Sequence, residues 1–276
     1  MKQDAQRPFQ ADPSAPVGFF DSGVGGLSVL LAARLLLPRE NMVYVADSAH
    51  CPYGGRSADF VRRRALAITR FLLARGAKAV VVACNSASEA ALESLRQAFP
   101  GLEIIGIEPA VKVARRLSRN RRIGVLGTAL TLGGRRFSRL LENFAAGVEV
   151  YTQPVAGLVE SIEAGRLAHP RTLALLRRNL QPLLARGVDT VVLGCTHYPL
   201  VKGRIAALCG PHVKVIDTGE PVARQLRRRL RATAALRRGR GPGWIEYYTS
   251  GDPAAVAVVA RAVMGDPALE FRPLAP

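Results

Sequence analysis

Two segments of the chain repeat each other in register, and this repeat limits the possible folds more than any single motif. LLARGAKAVVVACNS (72–86) aligns without a gap to LLARGVDTVVLGCTH (183–197), at a constant offset of 111 residues. Leu72, Leu73, Ala74, Arg75, Gly76, Val80, Val81 and Cys84 meet identical residues in Leu183, Leu184, Ala185, Arg186, Gly187, Val191, Val192 and Cys195. Each copy reads as a helix end, a glycine stop, a buried strand and then a cysteine. A helix–glycine–strand joint is common, but two cysteines in register are not. The repeat predicts two similar α/β lobes, each presenting one thiol at the carboxyl end of a strand.

The remaining pattern agrees. Strands are expected at Val17–Phe20, Met42–Val45, Ala79–Ala83, Glu103–Ile107, Ile123–Leu126, Val148–Tyr151, Thr190–Gly194 and Val213–Ile216. Helical patterns separate them at Leu27–Leu36, Ala58–Arg75, Glu89–Phe99, Arg135–Glu142 and Arg171–Arg186. Such alternation predicts mostly parallel sheets flanked by helices, with near-continuous apolar strands covered on both faces. After Pro221 the pattern reads as a helix, an Arg/Gly/Pro-rich loop near 238–243, a strand at Trp244–Thr249 and a helix from Pro253.

Composition excludes several function classes. At 276 residues and 49% hydrophobic, the chain can bury a sizeable core. No apolar run approaches the roughly 18 residues of a membrane helix. The first 15 residues lack an apolar signal core and are expected to form a short disordered extension. Four irregularly spaced cysteines (Cys51, Cys84, Cys195, Cys209) form no disulfide framework, so a reducing cytosol is expected. The net charge of +18 invites a nucleic-acid reading. However, 34 of the 39 basic residues are arginine, and the run RQLRRRLRATAALRRGR (224–240) spreads them over all sides of a helix without aromatics to stack bases. A solvated face explains that run better.

In open α/β sheets, ligands bind at the carboxyl edge of the strands, beside helix N-termini with free N–H groups. Four polar clusters fall there: Asp21 and Ser22 in FFDSGVGG; Cys84, Asn85 and Ser86 in ACNSAS; Thr128 and Thr131 in GTALT; Cys195, Thr196 and His197 in GCTH. The glycines at 23, 25 and 26 lack both the dinucleotide fingerprint and the lysine of a P-loop. Asp, Ser and Asn at these places also serve as ordinary caps. Cys51 and Cys209 read as small buried hydrophobes. Cys84 and Cys195 differ, because amides at a helix start favour a thiolate. A zinc site is disfavoured by the C-x-H spacing at 195–197 and the absence of a CxxC pair. A Cys–His nucleophile would use Cys195 and His197 but leave Cys84 idle. Two equivalent thiols from two lobes suit proton transfer on opposite faces of one carbon, with Asp21 assisting Cys84 and His197 assisting Cys195.

The motifs FDSGVGGLSV (20–29), YVADSAHCPYG (44–54), VVVACNSAS (80–88), IGVLGT (123–128) and VVLGCTHYPL (191–200) together resemble the glutamate racemase family. These are cofactor-independent bacterial enzymes that interconvert L- and D-glutamate for peptidoglycan synthesis. The resemblance implies Cys84 and Cys195 as the catalytic pair, with Asp21, His197 and a second-lobe glutamate assisting. In GLVESIEAG that glutamate is placed at Glu163, with Glu160 as the alternative. Substrate contacts carry over to Asp21, Ser22, Tyr53, Gly54, Asn85, Ser86, Thr128, Thr131 and Thr196. Ser86 stands where the family usually has threonine, and the hydroxyl is kept. The resemblance further implies a first lobe of residues 16–110 plus 218–276, a second lobe of 111–217, and a site in the cleft between them. It implies a cytoplasmic homodimer, with no metal, cofactor, membrane or nucleic-acid partner. Related two-thiol racemases for aspartate or hydantoins are the nearest alternative, and CTHYPL and DSGVGG argue against them.

Overall fold

The computed structural model describes residues 12–274. The extension predicted over 1–15 lies for its first eleven residues outside the described residues. From Asp12 to Ala15 the chain makes a turn, and its carbonyls at Pro13 and Ser14 accept from Lys78 and Asn41.

In chain order the strands are β1 (Val17–Asp21), β2 (Met42–Ala46), β3 (Ala79–Val82), β4 (Glu103–Gly106) and β5 (Arg122–Gly127). They continue with β6 (Glu149–Pro154), β7 (Thr190–Gly194), β8 (Lys214–Ile216), β9 (Ile245–Thr249) and β10 (Arg272–Pro273). The helices begin with α1 (Leu27–Leu36), α2 (Ala58–Ala74), α3 (Asn85–Ala98), α4 (Val111–Leu117), α5 (Ala129–Leu132) and α6 (Arg135–Phe144). Then come α7 (Leu158–Glu163), α8 (Pro170–Ala185), α9 (Lys202–Cys209), α10 (Gly219–Ala232) and α11 (Pro253–Met264).

Two wholly parallel sheets result, ordered β10-β9-β2-β1-β3-β4 and β6-β5-β7-β8. Alternating residues of each strand enter cores on opposite faces. In the first sheet, Val17, Phe19, Met42, Tyr44 and Val81 pack toward α1, α10 and α11, while Phe20, Val43, Val45, Val80 and Val82 pack toward α2 and α3. In the second, Val191 and Leu193 face α7, α8 and α9, and Ile123, Val125 and Val192 face α4 and α6. Burial on both faces explains the near-continuous apolar strands. No helix among the described residues is long and apolar enough to cross a membrane.

The sequence repeat is a repeat of packing. Gly76 and Gly187, at φ +75° and +69°, end α2 and α8 in the left-handed conformation that favours glycine. Leu72 and Leu183 each press a methyl group to 2.9 Å from where a Cβ would stand on a glycine of the next strand over, Gly18 and Gly124 respectively. Helix and sheet therefore approach equally closely in both lobes.

Several elements depart from the pattern reading. The helix after Cys84 starts at Asn85 rather than Glu89, so Cys84 itself occupies the N-cap position. Alanine and serine at 86–88 gave no apolar period, yet Ser86, Ala87 and Ser88 are buried against the rest of the lobe. The short helices α4, α5, α7 and α9 were not anticipated, since each spans only four to eight residues. In α10 the arginines are not on all sides. Val222, Ala223, Leu226 and Leu230 form an apolar stripe buried in the core shared with α1, and the arginines cover the remainder.

Across the cleft, Glu89 of α3 accepts hydrogen bonds from the Arg136 and Phe137 amides at the start of α6. A buried hub holds the loop after β2. Asp47 accepts from Arg64 (2.9 and 2.8 Å), Ser250 (2.7 Å) and the Tyr53 hydroxyl. Burial alone would raise the Asp47 pKa, but the bonds from Arg64, Ser250 and Tyr53 outweigh it and hold the carboxyl below its ordinary value. Asp47→Asn leaves Arg64 without its counter-ion and is expected to cost about 3 kcal/mol in urea unfolding, the low end for a broken buried pair because Arg64 is partly exposed. With a depressed folded pKa, the Asp47 contribution is full above the unfolded value of about 3.9 and disappears as pH falls through the folded value. The stability gap between wild type and variant should accordingly shrink below about pH 4.

Candidate active site

The carboxyl edges of the two sheets face each other across the cleft. From the first lobe come Ser22 after β1, Pro52, Tyr53 and Gly54 after β2, and Cys84, Asn85 and Ser86 after β3. The second lobe adds Thr128 after β5, Val159 of α7, and Cys195, Thr196 and His197 after β7. The cavity they enclose measures about 10 Å3, roughly room for one water. Both thiols line it, and they are the repeat-related pair, Cys84 and Cys195.

Asp21 ends β1 with no exposed surface, and its Oδ2 accepts from the amides of Gly23 (3.3 Å) and Gly26 (2.9 Å). This explains the spacing of DSGVGG: the chain must fold back over the carboxylate. Asp21 lies beside Cys84, and its Oδ1 accepts from Thr196 Oγ1 at 3.4 Å. Burial raises the Asp21 pKa, and the neighbouring His197 only partly offsets this. Burial and the Asp21 charge together raise the Cys84 thiol well above its ordinary range, although the Ala87 amide at the start of α3 works the other way.

His197 is the centre of the other side. Its Nδ1 lies 3.9 Å from Cys195 Sγ and 4.0 Å from Asp21 Oδ2, and its Nε2 lies 2.6 Å from Glu163 Oε1. Burial disfavours its charge, but Cys195, Cys51, Glu163 and Asp21 together raise its pKa well above the usual imidazole value. For Glu163 burial is likewise opposed, and His197 with the Val24 amide holds its carboxyl below the ordinary range. Glu163 Oε1 accepts that amide at 2.7 Å, which ties α7 to the glycine loop of the opposite lobe. Glu160, one turn earlier, is exposed; Glu163 is the one that reaches the histidine.

Cross-lobe contacts bind the rim. Ser86 Oγ and Thr128 Oγ1 lie 2.9 Å apart, and Ser28 of α1 donates to the Thr196 carbonyl at 3.0 Å. A Cβ on Gly54 would stand 2.8 Å from Thr128 Cβ, so the Tyr53–Gly54 loop rests directly on the second lobe. The expected substrate contacts are brought together with two exceptions. Thr131 sits behind Thr128 and bonds its hydroxyl at 2.9 Å, and Asp21 sits behind Cys84; neither lines the cavity. Among the described residues, neither atom of the buried Asn85 amide has a hydrogen-bond partner. Leaving a buried polar group unpaired costs about 1–3 kcal/mol, so this amide at the cavity wall is the clearest mark of a polar ligand. Sequence reasoning missed Pro52, Val159 and Cys51. Cys51 is not a simple buried hydrophobe: it is half-buried, donates to Ser22 Oγ at 3.8 Å, and faces His197 and Glu163. Its place one residue before the Pro-Tyr-Gly loop was the available signal.

Residues 29–226 match the family model described as Asp/Glu/Hydantoin racemase. The chain belongs to the Asp/Glu/hydantoin racemase family. Among curated members, it is 51% identical over 254 residues to a glutamate racemase of Pseudomonas aeruginosa, covering 92% of this chain and 96% of that protein. Its fold is similar to that of glutamate racemase from Thermus thermophilus, solved in complex with β-chloro-D-alanine (TM-score 0.81, 38% identity, 96% of this chain and 98% of that one). It is also similar to Escherichia coli glutamate racemase, solved with L-glutamate and the activator UDP-MurNAc-Ala (TM-score 0.78, 31% identity, 94% and 97% covered).

A Cβ on Gly25 would stand 2.4 Å from His197 Nδ1. Gly25→Ala is thus expected to push the imidazole out of register with Glu163. Because that bond helps raise the His197 pKa, NMR titration of the imidazole should report a lower pKa in the variant. An unchanged value would show that the loop yields instead.

Proposed function

We propose that the chain is a glutamate racemase in which Cys84 and Cys195 exchange protons on opposite faces of the substrate α-carbon. The observation that carries this reading is the placement of two repeat-related thiols, one from each lobe, on the wall of one cavity beside the unpartnered Asn85 amide.

For L-glutamate, Cys195 as thiolate takes the α-proton. The Cα–H bond breaks, its electron pair stays on the carbon and delocalises into the α-carboxylate, and an S–H bond forms on Cys195. The Cys84 thiol gives its proton to the opposite face, which leaves a Cys84 thiolate and D-glutamate. The product form of the enzyme is the form that starts the reverse reaction, so D→L uses the same groups with roles exchanged. The raised Cys84 pKa keeps a proton there to donate, and His197 stands 3.9 Å from Cys195 Sγ to assist it. Asn85, the amides at the start of α3, and the hydroxyls of Ser22, Ser86 and Thr196 would hold the carboxylate as charge builds on it. Among the described residues that line the cavity there is no lysine to carry a pyridoxal phosphate Schiff base. Glutamate is far larger than the closed cavity, so turnover requires the lobes to part and reclose, with water excluded during proton transfer. In the cell this reading describes a cytoplasmic homodimer that supplies D-glutamate for peptidoglycan.

The test is L-glutamate in D2O without added pyridoxal phosphate, followed by circular dichroism and α-deuterium uptake. Loss of ellipticity with deuterium at Cα is expected; an unchanged signal overturns the reading. Cys84→Ala and Cys195→Ala should each lower kcat at least about 10^3-fold, within the range for a positioned acid or base. Asn85→Ala should raise KM for glutamate. Glu163→Gln removes an anion that stabilises the His197 cation, so the alkaline limb of the kcat/KM profile should move to lower pH.

A further inference from the structure

Cys51 joins Glu163 and His197 of the site already described in a cluster that neither Cys84 nor Cys195 completes. The Cys51 sulfur, a Glu163 carboxylate oxygen and a ring nitrogen of His197 all lie within 4.8 Å of one another. Three loops supply them: the segment between β2 and α2, the end of α7, and the turn after β7. Cys51 comes from the first lobe, and the other two from the second. A Cβ on Gly23 would stand 1.9 Å from Glu163 Oε1 and 3.1 Å from Cys51 Sγ, so the glycine is what lets this cluster close. Glu163 keeps 19% of its side chain exposed, which leaves a path from solvent.

We infer that Cys51, His197 and Glu163 form an inhibitory site for a thiophilic divalent cation such as Zn2+. The donor set of one sulfur, one imidazole nitrogen and one carboxylate oxygen suits four-coordinate Zn2+ with one position left to solvent. A thiolate discriminates against Mg2+ and Ca2+. A thiolate and a carboxylate together balance the charge of the ion. On binding, the Cys51 thiol proton and the proton between His197 Nε2 and Glu163 Oε1 leave to solvent, and the metal takes their place. Two consequences follow for the racemase reading, on which the inhibitory role rests. His197 becomes a ligand and no longer serves Cys195 as an imidazolium, and ligands from both lobes hold the cleft shut against substrate.

Titration of the full chain with Co2+ as a spectroscopic probe, with Zn2+ as competitor, tests the site directly. Wild type should develop a thiolate-to-Co2+ charge-transfer band at one equivalent, which Zn2+ removes. Cys51→Ala, and Cys51→Ser as a second variant of closer size, should lose the band and bind Zn2+ at least about tenfold more weakly, the loss that removal even of an outer partner can cause. With each protein compared to its own metal-free rate, Zn2+ should inhibit wild type at concentrations that leave the rate of the Cys51 variants unchanged. The same band in both variants, or equal inhibition by Zn2+ in wild type and variants, would place the metal away from Cys51 and overturn the proposal. If turnover were absent from every protein, the racemase reading would fail while the Co2+ spectrum still decided the site.

Discussion

A buried imidazole, His197, meets partners from both of this molecule's halves. His197 is 1% exposed, and an ion so placed carries a desolvation penalty of several kcal/mol unless partners meet it. The partners come from both lobes: Glu163 and Cys195 from its own, Asp21 from the other. Glu163 in turn accepts the Val24 amide of the first lobe. The Asp21 and Val24 contacts exist only when the cleft is closed and the DSGVGG loop lies against the ring, where Gly23 and Gly25 leave no room for a side chain. Closure, the partners of His197 and the surroundings of Cys195 are one coupled arrangement.

The same coupling explains how a duplicated architecture yields two unlike thiols. The copies agree through the glycine stop, the strand and the cysteine, then diverge within two residues. After Cys84 the chain enters α3 at once, so that sulfur meets a helix N-terminus and the Asp21 carboxyl. After Cys195 it makes a short turn at Tyr198–Val201 before α9, which frees His197 to fold back on the sulfur. One thiol is thereby biased to keep its proton, and the other stands 3.9 Å from an imidazole nitrogen. A two-base reaction needs that difference at the start of each turnover and its reversal at the end.

Much of this was legible in the sequence because it rests on local periodicity. The parallel strands are apolar on both faces, and the polar residues that matter sit directly after them. The repeat exposed the thiol pair because packing of Leu72 on Gly18 and Leu183 on Gly124 imposes the same joint twice. What escaped depends on contacts made at long range. Glu163 meets His197 across 34 positions of sequence, and Asp21 meets Thr196 across 175. Nothing in the local pattern marks either pairing; family resemblance supplied Glu163. Cys51 was misread for the same reason, since its neighbours arrive from the other lobe. The start of α3 was misplaced because small polar residues carry no helical period, although tertiary packing buries them.

Closure cannot be too strong. The contacts that span the cleft near the cavity are few: Ser86 with Thr128 and Ser28 with the Thr196 carbonyl between neutral groups, Thr196 with Asp21 and the Val24 amide with Glu163 on carboxylates, and His197 4.0 Å from Asp21. Each contributes about 1 kcal/mol net, somewhat more where a carboxylate accepts, and all can be exchanged for water when the lobes part. On the α3–α6 side, Glu89 caps the start of α6 through two amides, an arrangement that suits a pivot. Substrate can restore the lost contacts and add its own, beginning with the Asn85 amide that has no partner in the closed chain. The energy that seals the dry cavity around the α-carbon thus comes partly from the ligand, which couples exclusion of water to the presence of something to racemise.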